Sequence, residues 1–301
     1  MQIKKRNGDV VAFDVEKIRA AMRKAFAATG VGIEESELDK LSLAVQQSVE
    51  KATALTVENV QDRVEQELMA AGYYETAKAY VLYREERAKL RRARESIAAQ
   101  FKDPSLERVL REIERDFSSP AYAISILADK FERFARAGMS DTDRERTLVK
   151  AAVELITMSA PSWEFIAARL YNHFFTQAVA EKMQKLNLRT FHEKLIYMTD
   201  ERLYGRYILE SYSLEELRKA EAMIRPERDR LFTYAGLELL LKRYVIRTRA
   251  GKPMETPQEM FLGIALHLAM NEPKDRMTCF RQSATQTCSG DWRKRIWMPI
   301  G

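Results

Sequence analysis

Turn-forming residues are scarce in this chain: eleven glycines and eight prolines are spread over 301 residues. A sandwich or a barrel built from many hairpins needs a turn signal about every 8–12 residues, so folds of that kind are excluded. Ala, Leu, Glu, Lys, Arg and Gln dominate instead, and all of them favour helix. The chain reads as mainly α. With 46% hydrophobic and 31% charged residues it can bury real cores, which excludes disorder of the whole. The length allows one large domain or two to three small ones.

Fifty Lys and Arg against 44 Asp and Glu leave a formal charge of +6. That balance favours anions as partners, although charges of both signs spread over a helical surface would give it too. Two cysteines, Cys279 and Cys288, exclude a disulfide framework and a four-thiolate zinc site within one chain. The start, Met1-Gln2-Ile3-Lys4-Lys5-Arg6, runs into polar residues, so no secretory signal is expected. No apolar run approaches the roughly 18 residues of a membrane span. A cytoplasmic location without a membrane partner is the expectation.

The first thirteen residues differ from the helical remainder. Gln2–Arg6 and Asp9–Phe13 flank Asn7-Gly8, a pair suited to a two-residue hairpin turn because both positions tolerate positive φ. Asp14 then reads as a helix cap, with Phe13 and Ile18 as a hydrophobic staple. Ile18, Met22 and Phe26 form one apolar stripe up to Thr29-Gly30. Glu34–Lys51 is amphipathic through Leu38, Leu41 and Val45. Thr56 reads as the cap of a helix carrying Val60, Val64 and Leu68, and Gly72 suits its end. Tyr74–Arg94 reads as one long helix ending in a basic run, which closes a unit of hairpin plus four helices over residues 1–95.

Tyr74–Val81 lies over Trp163–Leu170 at an offset of 89 residues, so residues 105–180 are expected to form a second, divergent copy of the helical part. That copy has no Asn-Gly hairpin and no basic strand. From Leu186 to Arg276 the reading is again helical. Arg225-Pro226 breaks a helix, Phe232–Tyr244 is helical, and Val245–Arg249 is extended. Gly251-Lys252-Pro253 turns the chain into a helix over Pro257–Met270. Residues 278–301 have no amphipathic pattern.

The usual catalytic signatures are absent. Gly251-Lys252 is followed by Pro253, so no Walker loop exists, and no Gly-x-Gly-x-x-Gly occurs. His173, His192 and His267 lack the Glu three residues earlier that a di-iron bundle needs. Nothing beside either cysteine lowers a thiol pKa, so no catalytic residue is expected. What remains is a site for a polyanion. Lys4, Lys5 and Arg6 lie on the first strand, Lys17 sits in the first turn of the next helix, and Arg84, Arg87 and Lys89 lie on the fourth helix. Point charges and a helix N-terminus can neutralise a triphosphate without a Walker loop. A rival use of the basic residues is nucleic-acid binding along Arg84–Arg94, which has six basic and two acidic residues but no aromatic platform.

Ile3-Lys4-Lys5-Arg6-Asn7-Gly8, Phe13-Asp14-x-x-Lys17-Ile18, Val64-x-x-x-Leu68-Met69-x-x-Gly72 and Ala77-Lys78-Ala79-Tyr80-x-x-Tyr83-Arg84 occur in order. Together they resemble an ATP-cone, a regulatory nucleotide-binding domain of ribonucleotide reductases and of their transcriptional repressor. Asn7 stands where Asp is commoner. Arg228-Asp229-Arg230-Leu231-Phe232-Thr233-Tyr234-Ala235-Gly236-Leu237, Tyr244 and Gly251–Phe261 are similar to the all-helical N-terminal domain of the class I ribonucleoside-diphosphate reductase large (alpha) subunit. The repressor would place a cysteine-rich zinc ribbon before its cone. This order of motifs favours the reductase.

The resemblance implies an ATP-cone over 1–95, a degenerate second cone over 105–180 and the reductase helical domain over 186–276. It implies ATP or dATP as allosteric effector, with Mg2+. Lys5 and Arg6 would meet the phosphates, with Val11, Asp14, Lys17 and Thr56 around the nucleotide and Arg87 or Lys89 approaching from the fourth helix. Expected partners are the radical-generating small subunit, further copies of the chain and the remainder of the large subunit. In the family an α/β barrel with the catalytic cysteines follows the helical domain. Here the motifs stop near Arg276, and Cys279 and Cys288 match none of them. The expectation is therefore a regulatory N-terminal portion without its catalytic barrel, from a split, truncated or frameshifted gene. A non-functional fragment is the remaining reading.

Overall fold

A computed structural model of the protein describes residues 1–4, 8–50 and 55–271. It forms two compact units, Met1–Arg92 and a second that begins at Ala93.

The first unit opens with strands β1 (Gln2–Lys4) and β2 (Val10–Ala12), paired antiparallel with Ile3 opposite Val11 and Lys4 opposite Val10. This register corrects the expected one. A two-residue turn at Asn7-Gly8 would set Lys4 opposite Val11, one residue away. Side chains alternate faces along a strand, so that slip would part Ile3 from Val11. Both are half-buried on the same face, and burial decides the register over turn chemistry. Gly8 still takes the left-handed conformation, with φ +91°. Lys5, Arg6 and Asn7 lie outside the described residues.

Four helices follow: α1 (Val15–Thr29), α2 (Glu35–Glu50), α3 (Val57–Ala70) and α4 (Tyr74–Ala99). Asp14 caps α1 by accepting the Glu16 N–H at 3.1 Å, and Gly30 ends it at φ +67°. Thr56 caps α3 in a reciprocal box with Asn59. The Lys4 N–H also donates to the Leu55 carbonyl at 2.9 Å, so the free edge of β1 holds the entry to α3. Met22, Phe26, Leu38, Val45, Val64 and Leu68 form the core beneath. The expected end of α4 at Arg94 is too early. The helix continues to Ala99 because Ile97, fully buried, anchors its last turns in the next core.

The second unit continues with α5 (Leu106–Asp116), α6 (Ile124–Phe134), α7 (Asp141–Val153) and α8 (Trp163–Lys185). After these come α9 (Phe191–Asp200), α10 (Tyr207–Ser211), α11 (Leu214–Glu221), α12 (Tyr234–Arg243) and α13 (Pro257–Ala269). Two apolar clusters fill it. One joins Ile97 with α5–α8 around Phe131 and Trp163. The other joins the C-terminal half of α8 with α9–α13. The helix expected to break at Arg225-Pro226 already ends at Glu221, and Pro226 opens a 3-10 turn (Pro226–Leu231). Gly251, at φ +75°, turns the chain so that Arg247 pairs with Pro253. The α4 and α8 helices start at Tyr74 and Trp163, at the 89-residue offset of the internal match. Residues 278–301, with both cysteines, lie outside the described residues.

Phe131 is fully buried. Phe131→Ala is expected to destabilise the second unit by about 3–5 kcal/mol through lost transfer energy and a residual cavity. Urea unfolding followed by circular dichroism measures this, and a loss within error of zero would contradict the packing described.

Candidate functional site

In the first unit the hairpin, the N-terminal half of α1, the start of α3 and one turn of α4 surround a cavity of about 250 Å3. Ile3, Val11, Ile18, Ala21, Val57, Val60 and Val64 line it with apolar surface. Its polar groups are few. Asp14 and Lys17 stand at the N-terminus of α1, with Lys17 Nζ 3.5 Å from the Asp14 carboxylate and largely exposed. Gln61 enters from α3 and Tyr80 from α4. Burial pushes the Tyr80 hydroxyl up to about 12, with Glu65 and Asp62 adding to the shift and Arg84 opposing it. The phenol therefore stays neutral. An apolar slot with Lys17 and two helix N-termini at its edge suits a ring carrying phosphates: apolar surface for the ring, backbone N–H groups and one ammonium group for the charge.

The structure brings Val11, Asp14 and Lys17 together at this cavity. Thr56 is adjacent, half-buried between Lys4 and Val57, with its hydroxyl engaged by Asn59. Lys5 and Arg6 lie outside the described residues. Arg87 and Lys89 are exposed and do not line the cavity. They follow Tyr80 by seven and nine residues, which is roughly 10 and 13 Å along the helix axis. Sequence reasoning missed Gln61 and treated Tyr80 only as a motif position. The signal for Tyr80 was its place one turn past Ala77 on the buried face of α4. The basic stripe after residue 84 is not uniformly open. Arg84 meets Asp62 and Glu65, each at 2.7 Å, and Arg94 is paired with Glu114.

The second motif set does different work. Asp229, 6% exposed, accepts an amide N–H from Gln258 of α13 at 2.7 Å and from Asn172 of α8 at 3.2 Å. Burial pushes its carboxyl up to about 6 against these hydrogen bonds. Glu255, 3% exposed, accepts the Ile246 N–H at 2.7 Å, and burial pushes it up to about 7 with help from the charge of Glu259. Glu259 itself pairs with buried Lys194 at 2.6 Å and accepts the Thr256 N–H at 2.7 Å. These motif residues hold α8, α9 and α13 together. Nearby, His173 meets Asp103 at 2.5 Å. Burial disfavours the Asp103 charge, yet hydrogen bonds from Ser105, His173 and Gln177 outweigh it and hold the carboxyl at about 2. Among the described residues no group of His, Cys, Asp and Glu is placed to hold a metal ion, and no helix is long and apolar enough to cross a membrane.

A helical unit with a hairpin-edged apolar slot is thus followed by a helical unit stitched by buried carboxylates. Comparison with known proteins agrees. The ATP cone domain family matches residues 1–89, and the ribonucleotide reductase all-alpha domain matches residues 230–292, running past Arg276. The ribonucleoside-diphosphate reductase subunit alpha of Treponema pallidum is 43% identical over 92% of this chain and 34% of its own length. That of Chlamydia pneumoniae is 28% identical over 90% of this chain and 29% of its own. The Escherichia coli subunit alpha of reductase 1 is 27% identical over 46% of this chain and 18% of its own. The chain thus spans about a third of the length of the first two relatives. It belongs to the ribonucleotide reductase large-subunit family, of which it carries the N-terminal region with its ATP-cone.

Asp229 makes stability depend on pH in a definite direction. Its folded pKa of about 6 lies above the ordinary 3.8, so its contribution is fully present below about pH 4 and is lost as pH rises through 6. The two-unit shift corresponds to about 3 kcal/mol. The stability of the native chain relative to Asp229→Asn is expected to fall over that window in urea titrations. A difference independent of pH would overturn the assignment.

Proposed function

We propose that the first unit binds ATP or dATP as an allosteric effector at the hairpin-edged cavity. The observation that carries this reading is the convergence of Val11, Asp14 and Lys17 on an apolar slot in a domain of the ATP cone family. The base and ribose would lie against Ile18, Val57, Val60 and Val64. Lys5 and Arg6, in the connection between β1 and β2, would meet the phosphates together with Lys17 and the N-terminus of α1. Tyr80 and Gln61 would set the orientation of the ring. Mg2+ would accompany the triphosphate, and no protein ligand for it is assigned.

In this reading the chain serves ribonucleoside-diphosphate reduction, and so deoxyribonucleotide supply, as a regulatory portion. The reduction itself belongs to the length of the relatives that this chain does not span. ATP would favour the active assembly and dATP an inhibited oligomer, each by differential affinity for the two states. The radical-generating small subunit, other copies of this chain and the remaining large-subunit sequence are the partners. The 105–180 segment is a divergent, cone-like copy, supported by the matched starts of α4 and α8.

Isothermal calorimetry tests the site. ATP and dATP are expected to bind the wild-type chain saturably. The Lys5→Ala, Arg6→Ala double variant is expected to lose at least about a hundredfold in affinity, since charge-assisted hydrogen bonds contribute about 1.5–3 kcal/mol each. Ala21→Trp, which fills the slot, is expected to abolish binding. Unchanged affinity in both variants would refute the location, and no binding to the wild type would refute the function.

A further inference from the structure

A second cavity, of about 680 Å3, lies wholly in the second unit, at the seam between its two apolar clusters. Tyr171 and Tyr234 pack against both clusters, with ring centroids 5.7 Å apart. Tyr171, Phe174 and Phe175 fall on one face of α8 and make an aromatic floor. The walls are α7, α12 and the turn that pairs Arg247 with Pro253.

Cations rim this floor from three separate segments: Arg146 and Lys150 of α7, Lys242 of α12, and Arg247. The carboxylates beside them are fewer. Glu238 is already engaged, accepting from Lys242 Nζ at 2.8 Å and from the Tyr234 hydroxyl at 2.9 Å. Burial and the neighbouring charges of Glu181, Asp141 and Asp103 raise the Glu145 carboxyl above its ordinary range, which weakens its hold on a negative charge. Arg247 is fixed by backbone carbonyls, not by an acid: its two terminal nitrogens donate to Gly251 at 2.8 Å and to Leu241 at 2.7 Å. A guanidinium held in this way is oriented yet keeps its full charge. Burial raises the Tyr171 hydroxyl above its ordinary range and Glu238 adds to the shift, while Lys242, Arg247 and Arg146 oppose it, so all three cations lie within electrostatic reach of the aromatic floor.

We propose that this cavity binds a phosphate ester of a flat ring, with the ring on Tyr171 and Tyr234 and the phosphate on Arg247, Lys242 and Arg146. A tetrahedral phosphate accepts donors from several directions, as these three segments supply them, whereas a carboxylate is satisfied by one planar fork. The volume falls within the range of about 300–1,000 Å3 common for small-molecule sites. No residue is shared with the cavity of the first unit. The inference is therefore independent of the effector site.

Calorimetry of the full chain with phenyl phosphate as probe, and with inorganic phosphate as its ringless counterpart, tests the proposal. Phenyl phosphate is expected to bind saturably, at least about tenfold more tightly than inorganic phosphate, since its ring alone can stack on the aromatic side chains. Arg146→Gln combined with Lys242→Gln alters two exposed side chains and is expected to weaken binding at least about tenfold with little change in melting temperature. Tyr171→Ala is expected to weaken it comparably, and Ala21→Trp in the first unit to leave it unchanged. Absent saturation, equal affinity for inorganic phosphate, full binding by the Arg146/Lys242 variant, or loss of binding in Ala21→Trp would each overturn the site.

Discussion

One carboxylate governs the second unit. Asp229 sits nearly buried on the 3-10 turn and takes an amide hydrogen from α8 on one side and from α13 on the other. Each of these hydrogen bonds to a buried carboxylate contributes about 1.5–3 kcal/mol, so moving the turn would cost contacts to both helices. Arg230, next in sequence, reaches Glu112 of α5 at 2.5 Å. The same short turn therefore ties the α5–α8 cluster to the cluster around α13. Dispersion alone would hold each cluster; these polar contacts fix how the two meet.

In the first unit the comparable role falls to backbone pairing. β1 is bonded on one edge to β2 and on the other to the entry of α3 through the Lys4 N–H. A two-stranded hairpin is marginal by itself. Here the second edge and the buried face of Ile3 and Val11 hold it against α1 and α3. The strand ends Lys4 and Val10 are thereby anchored beside a slot whose shape depends on the same contacts.

Much of this was legible in the sequence because it is local. Asp14 and Thr56 cap the helices that their side-chain chemistry suggested, and the stripes Ile18–Met22–Phe26 and Val60–Val64–Leu68 are buried. What stayed hidden is non-local. The hairpin register depends on which face meets the helices, and the Asn7-Gly8 signal carries no information about that. The extension of α4 depends on Ile97 finding a core built from residues up to 77 positions later, at Phe174. The Asn172–Asp229–Gln258 contacts span separations of 57 and 29 residues, and no periodicity announces them. Arg87 and Lys89 follow Tyr80, the α4 residue that lines the slot, by about two and two and a half turns, Arg87 on its face and Lys89 on the opposite one.

The net charge of +6 acquires a location once its partners are counted out. Arg19 and Arg23 are taken by Glu35 and Asp39, Arg84 by Asp62 and Glu65, Arg169 and Arg230 by Asp116 and Glu112, and Lys194 by Glu259. Cations matched in this way stabilise local packing, and their charge is partly neutralised. Arg247 is bound only to carbonyls, whereas Lys17, largely exposed, is paired with Asp14 at 3.5 Å. Both stand at cavities lined with apolar or aromatic side chains. In a low-dielectric slot the field of a single uncompensated cation reaches further than it does on an open helix face. Where a cation faces a cavity therefore depends less on the sum of charges than on where matching carboxylates are withheld.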